Sequence, residues 1–148
     1  MPAKISEMSF ADYEDALKLW ERCEGIGLSD ADEPGAMQRF LEMNPGFNFV
    51  ARLEDEVVGT ILCGTDWRRG YLYHLAVDPR FRRQGIGREL VEQVFASLKV
   101  RDIHKCHIMV FGTNELGLKF WRETGWVTRP EIVLMSYDLS TSCGGSPC

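Results

Sequence analysis

The residues most able to do chemistry lie between Leu75 and Arg88, in the run Leu-Ala-Val-Asp-Pro-Arg-Phe-Arg-Arg-Gln-Gly-Ile-Gly-Arg. A strand pattern ends at Asp78-Pro79, and a basic glycine loop follows. The loop opens into the most strongly periodic helix pattern of the chain, carried by Leu90, Val91, Val94, Phe95 and Leu98. A helix N-terminus presents unpaired N–H groups and a partial positive charge, so it is a natural seat for phosphate. Gly85 and Gly87 let the backbone approach an anion. Arg80, Arg82, Arg83 and Arg88 add cationic side chains. Together these predict a pyrophosphate site. A nucleoside-triphosphate loop would end in Gly-Lys-Ser/Thr, which is absent from this run, and a dinucleotide loop needs a third small residue where Leu90 stands. What remains is Arg82-x-x-Gly85-x-Gly87.

The elements that must hold this loop are legible from periodicity. Lys4 to Met8 reads as an opening strand. Tyr13, Ala16, Leu17 and Trp20 mark one face of a helix over Asp12 to Glu24, and a second short helix covers Ala36 to Met43. Phe47 to Leu53 and Val57 to Gly64 form a hairpin about Glu54-Asp55-Glu56, and Tyr71 to Val77 is the next strand. After the basic loop and its helix come a strand over His107 to Phe111 and a helix over Asn114 to Thr124. A closing hairpin of Trp126–Arg129 and Ile132–Leu139 follows, and Ser140 to Cys148 reads as a disordered tail. The expected class is α+β (mixed α/β), one domain over residues 1–139.

With 148 residues, 45% hydrophobic and 26% charged, the chain can bury a real core. Its formal net charge of -5 argues against a nucleic-acid partner, since phosphate neutralisation calls for a basic surface. An acidic surface attracts cations, and amines are cations before they react. No apolar run approaches the length of a membrane span, and the N-terminal residues lack a secretory apolar stretch, so a cytoplasmic location is expected. The five cysteines are scattered and odd in number, unlike a disulfide framework. Cys63 and Cys106 read as buried thiols, and Cys143 and Cys148 fall in the tail. His104, Cys106 and His107 suggest a metal cluster, but strand alternation splits them and a fourth ligand is not evident, so no metal is expected.

The basic loop resembles the acetyl-CoA loop of the GNAT superfamily of N-acetyltransferases, Q/R-x-x-G-x-G/A. Asn114 followed by Phe120-Trp121-Arg-Glu-Thr-Gly125-Trp126 resembles that family's second signature. Leu19 to Cys23 and Gly64 to Tyr73 are similar to its bacterial YpeA-type branch. The resemblance spans roughly residues 4 to 139. It implies a mostly antiparallel, twisted sheet of about seven strands with about four helices, splayed between the Tyr71–Val77 and His107–Phe111 strands. Acetyl-CoA would lie in that gap. Its pantetheine arm would pair with backbone at Leu75, Ala76 and Val77, and its pyrophosphate would rest on Arg82, Arg83, Gln84, Gly85, Ile86, Gly87 and Arg88. Asn114, Phe120 and Trp121 would complete the site.

The implied reaction is direct attack of a neutral primary amine on the thioester, the acceptor being a small or amino-acid-like amine, with protein N-termini or lysines as the alternative. A catalytically weak acetyl-CoA-binding module is the other alternative, motivated by Trp121, which stands where the family's proton-donating tyrosine falls. Indole is a donor and no useful acid. Tyr71 and Tyr73 occupy the family's usual positions for a base, with a water chain ending on Asp66 or Glu115 as a further option. Asp66 would hold the substrate ammonium and Arg69 a substrate carboxylate; an ordinary turn is the plain alternative for both. Strand alternation places Tyr71, Tyr73, Leu75 and Val77 on one face and Leu72, His74 and Ala76 on the other, so His74 should face away. A homodimer through a sheet edge or the closing hairpin is the candidate assembly.

Overall fold

In the computed structural model, which describes residues 2–140, the chain builds one five-stranded sheet. The elements run β1 (Lys4–Glu7), α1 (Tyr13–Arg22), α2 (Pro34–Met43), β2 (Phe49–Leu53), β3 (Glu56–Thr65), β4 (Gly70–Val77), α3 (Ile86–Lys99), β5 (Cys106–Ile108) and α4 (Glu115–Glu123). The strand order is β1-β2-β3-β4-β5. The first three pairings are antiparallel, and β4–β5 is parallel because α3 carries the chain back across the sheet. Tail residues Cys143 and Cys148 lie outside the described residues.

Helices cover both faces of the sheet. On one, α1 and α2 pack Trp20, Leu19, Ala16 and Met37 against Val50, Val57, Leu62 and Ala76. On the other, α3 and α4 pack Leu90, Val94, Leu98 and Trp121 against Val58, Ile61, Cys63 and Leu72. The apolar stripe of α3 is why that helix stays in register beneath the sheet, with Leu90 and Val94 fully buried. Pro34 starts α2 at a position where its missing N–H costs nothing.

Strand β4 is not regular. Its pairing with β3 shifts register between Thr60 and Leu62: Thr60 faces Ala76, whereas Leu62 faces Tyr73. Two residues of β4, His74 and Leu75, therefore oppose Ile61 alone, which is a β-bulge. His74 takes the left-handed conformation there, φ 49°. The bulge overturns the expected alternation. Tyr73 and Ala76 pack on the α1/α2 face while Leu75 and Val77 join the α3/α4 core. His74 does not face away from Tyr73; it turns onto the same α1/α2 face, its ring meeting Trp20 at 4.7 Å between centroids.

A buried relay fixes the bulge. Thr60 Oγ1 donates to the His74 carbonyl at 2.9 Å and accepts from Trp20 Nε1 at 2.8 Å. Thr60→Val keeps the shape of the residue and leaves both partners unsatisfied in the interior. It should cost about 2–4 kcal/mol of unfolding free energy in denaturant titration. A loss under about 0.5 kcal/mol would show that the relay does not hold the bulge.

Two expectations at the C-terminal end are corrected. The strand expected over His107–Phe111 is Cys106–Ile108, and Met109 and Phe111 are exposed. The closing hairpin does not form among the described residues: 126–140 contain no strand, and Val133, Met135 and Leu139 are 77–88% exposed. Strand propensity is realised only against a partner edge, and β5 ends at Ile108. Hence the sheet has five strands rather than about seven. Among the described residues no helix is long and apolar enough to cross a membrane.

Candidate acetyl-group transfer site

The loop between β4 and α3 begins at Asp78, which is 1% exposed. Its Oδ1 accepts the Arg80 N–H at 2.9 Å, while Oδ2 accepts from Arg22 at 3.0 Å and from Arg80 Nη2 at 2.9 Å. The Arg80 guanidinium also reaches Glu56 at 2.7 Å. Arg80 is therefore a clamp joining the loop to the β2–β3 turn, and it leaves the set of cations available to an anion. Its hydrogen bonds, with those of Arg22, hold the Asp78 carboxyl well below the usual carboxylate range against the opposing effect of burial.

The rest of the loop is built around two left-handed residues, Arg83 (φ 65°) and Gly85 (φ 85°). Gly85 is the N-cap of α3, and the first helical bond is Glu89 N–H to the Gly85 carbonyl at 3.0 Å. Among the described residues no side chain caps this helix, whereas α4 is capped by Asn114, whose Oδ1 accepts the Gly117 N–H at 3.0 Å. The N–H groups of Ile86, Gly87 and Arg88 at the start of α3 thus lack intrahelical partners, and the exposed side chains of Arg82, Arg83 and Arg88 stand beside them. Gln84 is exposed between the two left-handed residues. Arg82 Nε donates to the Val77 carbonyl at 3.1 Å, which fixes its guanidinium at the strand end. Gly87 sits where three elements converge: a Cβ there would lie 3.5 Å from the Phe120 ring and 3.6 Å from Val77.

Beside the loop the sheet opens. Strand β5 pairs with β4 only at Gly70, Tyr71 and Leu72. From Tyr73 onward, through Leu75, Ala76 and Val77, the β5-facing edge of β4 has no ladder partner among the described residues. A gap bordered by strand backbone without a ladder partner, its Val77 carbonyl accepting from Arg82 Nε and Cys23 Sγ, thus runs to an arginine-ringed helix start. These residues fit a long ligand with a diphosphate at one end and amide groups along its arm, as in acetyl-CoA.

The other expected site residues fall around this gap unevenly. Asn114 caps α4, and its amide nitrogen lies against Gly25, where a Cβ would come within 2.4 Å of it. Trp121 is 6% exposed, edge-on to Phe120 and Trp126 at 5.0 and 4.9 Å. Its indole belongs to the core stack, and half-buried Phe120 is the ring that reaches the loop. Tyr71 meets His107 at 5.9 Å and Tyr73 meets Phe40 at 6.1 Å, both distances between ring centroids. Burial raises the Tyr73 phenol further above its ordinary value. Asp66 Oδ1 accepts the N–H groups of Arg69 and Arg68 at 2.9 and 2.8 Å, bonds that lower its pKa. It shapes a fully exposed turn, and Arg69 donates to the Arg68 carbonyl at 3.1 Å within it.

Burial pushes the Cys63 thiol up to about 12 and the Cys106 thiol up to about 11, leaving both neutral and poor nucleophiles. His104 pairs with Asp102 at 2.8 Å on the surface. Among the described residues no group of three or more His, Cys, Asp or Glu side chains is arranged to hold a metal ion.

Two residues that the sequence did not single out stand on the α1/α2 face of β4. Asp32, 8% exposed, follows α1 in a single 3-10 turn. Its Oδ2 accepts the Ser29 N–H at 3.0 Å, and its Oδ1 lies 2.7 Å from His74 Nε2. The Ser29-x-x-Asp32 spacing is a capping signal that could have located the turn. Thr60, fully buried, carries the relay described above and left no sequence signal beyond a polar residue in an apolar strand.

A sequence model of the Acetyltransferase (GNAT) family matches residues 13–126. The chain is 31% identical over 124 residues to Acetyltransferase SG1711 of Sodalis glossinidius (strain morsitans), covering 84% of this chain and 87% of that relative. Its fold is similar to the PaiA N-acetyltransferase of Thermoplasma acidophilum in complex with coenzyme A, with TM-score 0.79 at 16% identity over 87% of this chain and 92% of that one. It is also similar to the aminoglycoside acetyltransferase meta-AAC0020, from an uncultured soil metagenomic sample, in complex with sisomicin. There the TM-score is 0.70 at 23% identity, over 93% and 97% of the two chains.

Proposed function

This chain belongs to the Acetyltransferase (GNAT) family and is an acetyl-CoA-dependent acetyltransferase, and we propose that its acceptor is a small primary amine or an amino-acid-like metabolite. The observation that carries this reading is the acidic loop between α1 and α2. Asp30, Asp32 and Glu33 lie there beside the face of β4 that bears Tyr73 and His74. Negative charge at that mouth favours a cationic acceptor.

Acetyl-CoA, when bound, supplies the activated acyl group. The chain's own residues do the rest. The α3 N-terminus with Arg82, Arg83 and Arg88 would hold the diphosphate, and the edge of Leu75–Val77 that lacks a ladder partner would align the arm. Phe120, against Gly87, walls the gap, and backbone N–H groups at the β4 opening are placed to receive developing negative charge.

The test is CoA release over a panel of spermidine, glycinamide and a short peptide with a free alanine N-terminus. Lower KM for the two small amines than for the peptide is the expected result. Preference for the peptide would replace this reading with a protein N-terminal acetyltransferase. In the same assay Asp66→Asn should raise KM for the small amines roughly tenfold, the loss of one charge-assisted bond, with kcat held. An unchanged KM would leave Asp66 to its turn alone.

A further inference from the structure

We propose that His74, oriented by Asp32, takes the proton that leaves the acceptor amine. This deepens the small-amine reading above and rests on it. The geometry has four independent parts.

First, the β-bulge re-aims His74. A regular strand would have sent this side chain to the α3/α4 core; the extra residue puts it on the α1/α2 face, beside the acidic loop read above as the acceptor mouth. Bulges beside active sites commonly serve to redirect a side chain in this way. The left-handed φ of 49° is an uncommon conformation for a residue other than glycine, and the Trp20–Thr60 relay holds it in place through the His74 carbonyl.

Second, the imidazole is oriented from both sides. The Trp20 ring meets it edge-on at 60°. Asp32 Oδ1 lies 2.7 Å from Nε2. A carboxylate accepts, so Nε2 donates, and the lone pair of the neutral ring is left on Nδ1. Asp32 is itself fixed twice, by the Ser29 N–H on Oδ2 and by Tyr13, whose hydroxyl donates to the Asp32 carbonyl at 2.5 Å.

Third, Nδ1 is available. Among the described residues every buried side-chain nitrogen and oxygen has a hydrogen-bond partner, and Nδ1 has none. It is therefore not sealed in the interior, on a side chain that is 14% exposed.

Fourth, the position is right and the competitors are poor. His74 is the second residue beyond the last β4–β5 pair, at the mouth of the gap. Tyr73 is a weak base made less accessible by burial, and the Asp66 carboxyl is lowered by its turn. Imidazole is the side chain suited to exchanging protons near neutrality.

The step balances simply. One N–H bond of the acceptor breaks and one forms at Nδ1. Starting from the cationic acceptor, the nitrogen keeps that electron pair and bonds with it to the acyl carbon, the carbon–sulfur bond gives its pair to the departing thiolate, and the thiolate takes the second proton from the nitrogen, leaving the neutral amide and the thiol. The imidazolium, paired with Asp32, returns its proton to solvent.

Two measurements test this. Nitrogen NMR of labelled histidine should place the ring proton of His74 on Nε2, and Asp32→Asn should weaken that preference. A ring protonated on Nδ1 and not on Nε2 in the wild type overturns the dyad. In turnover of spermidine, His74→Ala should lower kcat about 100-fold while the calorimetric affinity for acetyl-CoA stays within about twofold. Added imidazole should restore at least about tenfold of that loss, and Asp32→Asn should cost kcat at least about tenfold. A His74→Ala variant with full kcat, or one whose loss imidazole cannot recover although acetyl-CoA still binds, overturns the catalytic role. If the wild type turns over none of the three amines, the acceptor reading fails and takes this role with it. The spectra then still report separately on whether the dyad exists.

Discussion

A Gly85→Glu variant should lose affinity for acetyl-CoA by roughly 100-fold or more, about 2.7 kcal/mol. Gly85 is the N-cap of α3 in a left-handed conformation, φ 85°, with no side chain capping the helix. A Cβ at this position meets nothing within 4 Å, so the side chain itself has room. A glutamate would project from the loop that carries the free N–H groups of Ile86, Gly87 and Arg88. Its carboxylate would compete for those donors and for Arg82, Arg83 and Arg88, and it would repel a diphosphate. Backbone strain contributes separately, since any L side chain at this φ costs roughly 1–2 kcal/mol. Gly85→Ala isolates that part: it should lower stability by about that amount yet weaken acetyl-CoA binding far less than the glutamate. Calorimetric titration of both variants, with circular dichroism to confirm folding, separates the two effects. Equal binding losses in the alanine and glutamate variants would mean that backbone shape, not anion capture, governs the loop.

The second large effect concerns stability. Asp78→Asn should destabilise the fold by about 2–3 kcal/mol, because two guanidinium groups lose their buried counter-charge. For a chain of this length that corresponds to a fall in Tm of roughly 5–10 °C. The side chain of Asp78 is 2% exposed, whereas Arg22 and Arg80 are 45% and 60% exposed. Solvent can thus rescue the arginines in part, which keeps the figure below that for a fully interior pair.

The pH dependence follows from the depressed pKa of this carboxyl. Its contribution is fully present above the unfolded value, near 3.9, and is lost as pH falls through the lower folded value. The stability difference between wild type and Asp78→Asn should therefore be flat from neutral pH to about pH 5 and shrink only in stronger acid. A difference that faded between pH 7 and 5 would assign the effect to another group. Because Asp78 also sets the start of the loop through the Arg80 N–H, the variant should bind acetyl-CoA less well even where it remains folded.

Much of this molecule was readable from its sequence because the signals are local. Gly85 and Gly87 ahead of the Leu90–Leu98 stripe located α3 and its N-terminus. The apolar runs either side of Glu54-Asp55-Glu56 located the β2–β3 hairpin. What was not readable depends on partners distant in the chain. The direction of His74 is set by a register shift against Thr60 and Leu62, and no pattern within β4 reveals it. Arg80 reads in the sequence as a cation near a glycine loop, but Asp78 and Glu56, the latter 24 residues away in the chain, hold it. Ile132 to Leu139 has the composition of a strand, but a strand exists only where an edge receives it. Trp121 marked a departure from the family's tyrosine; its reason is the aromatic stack with Phe120 and Trp126, which sequence order alone does not predict.

We propose that the β4–α3 loop and the adjoining gap form one acetyl-CoA site. Its most direct test is a calorimetric titration of the wild-type protein with acetyl-CoA, with CoA and ATP titrated in parallel. Saturable one-site binding of acetyl-CoA, with CoA comparable or weaker and ATP clearly weaker, is the predicted result, because ATP offers phosphates to the helix but no arm to the open strand edge. Binding of ATP as tight as acetyl-CoA, or no binding of acetyl-CoA by the folded protein, would contradict it.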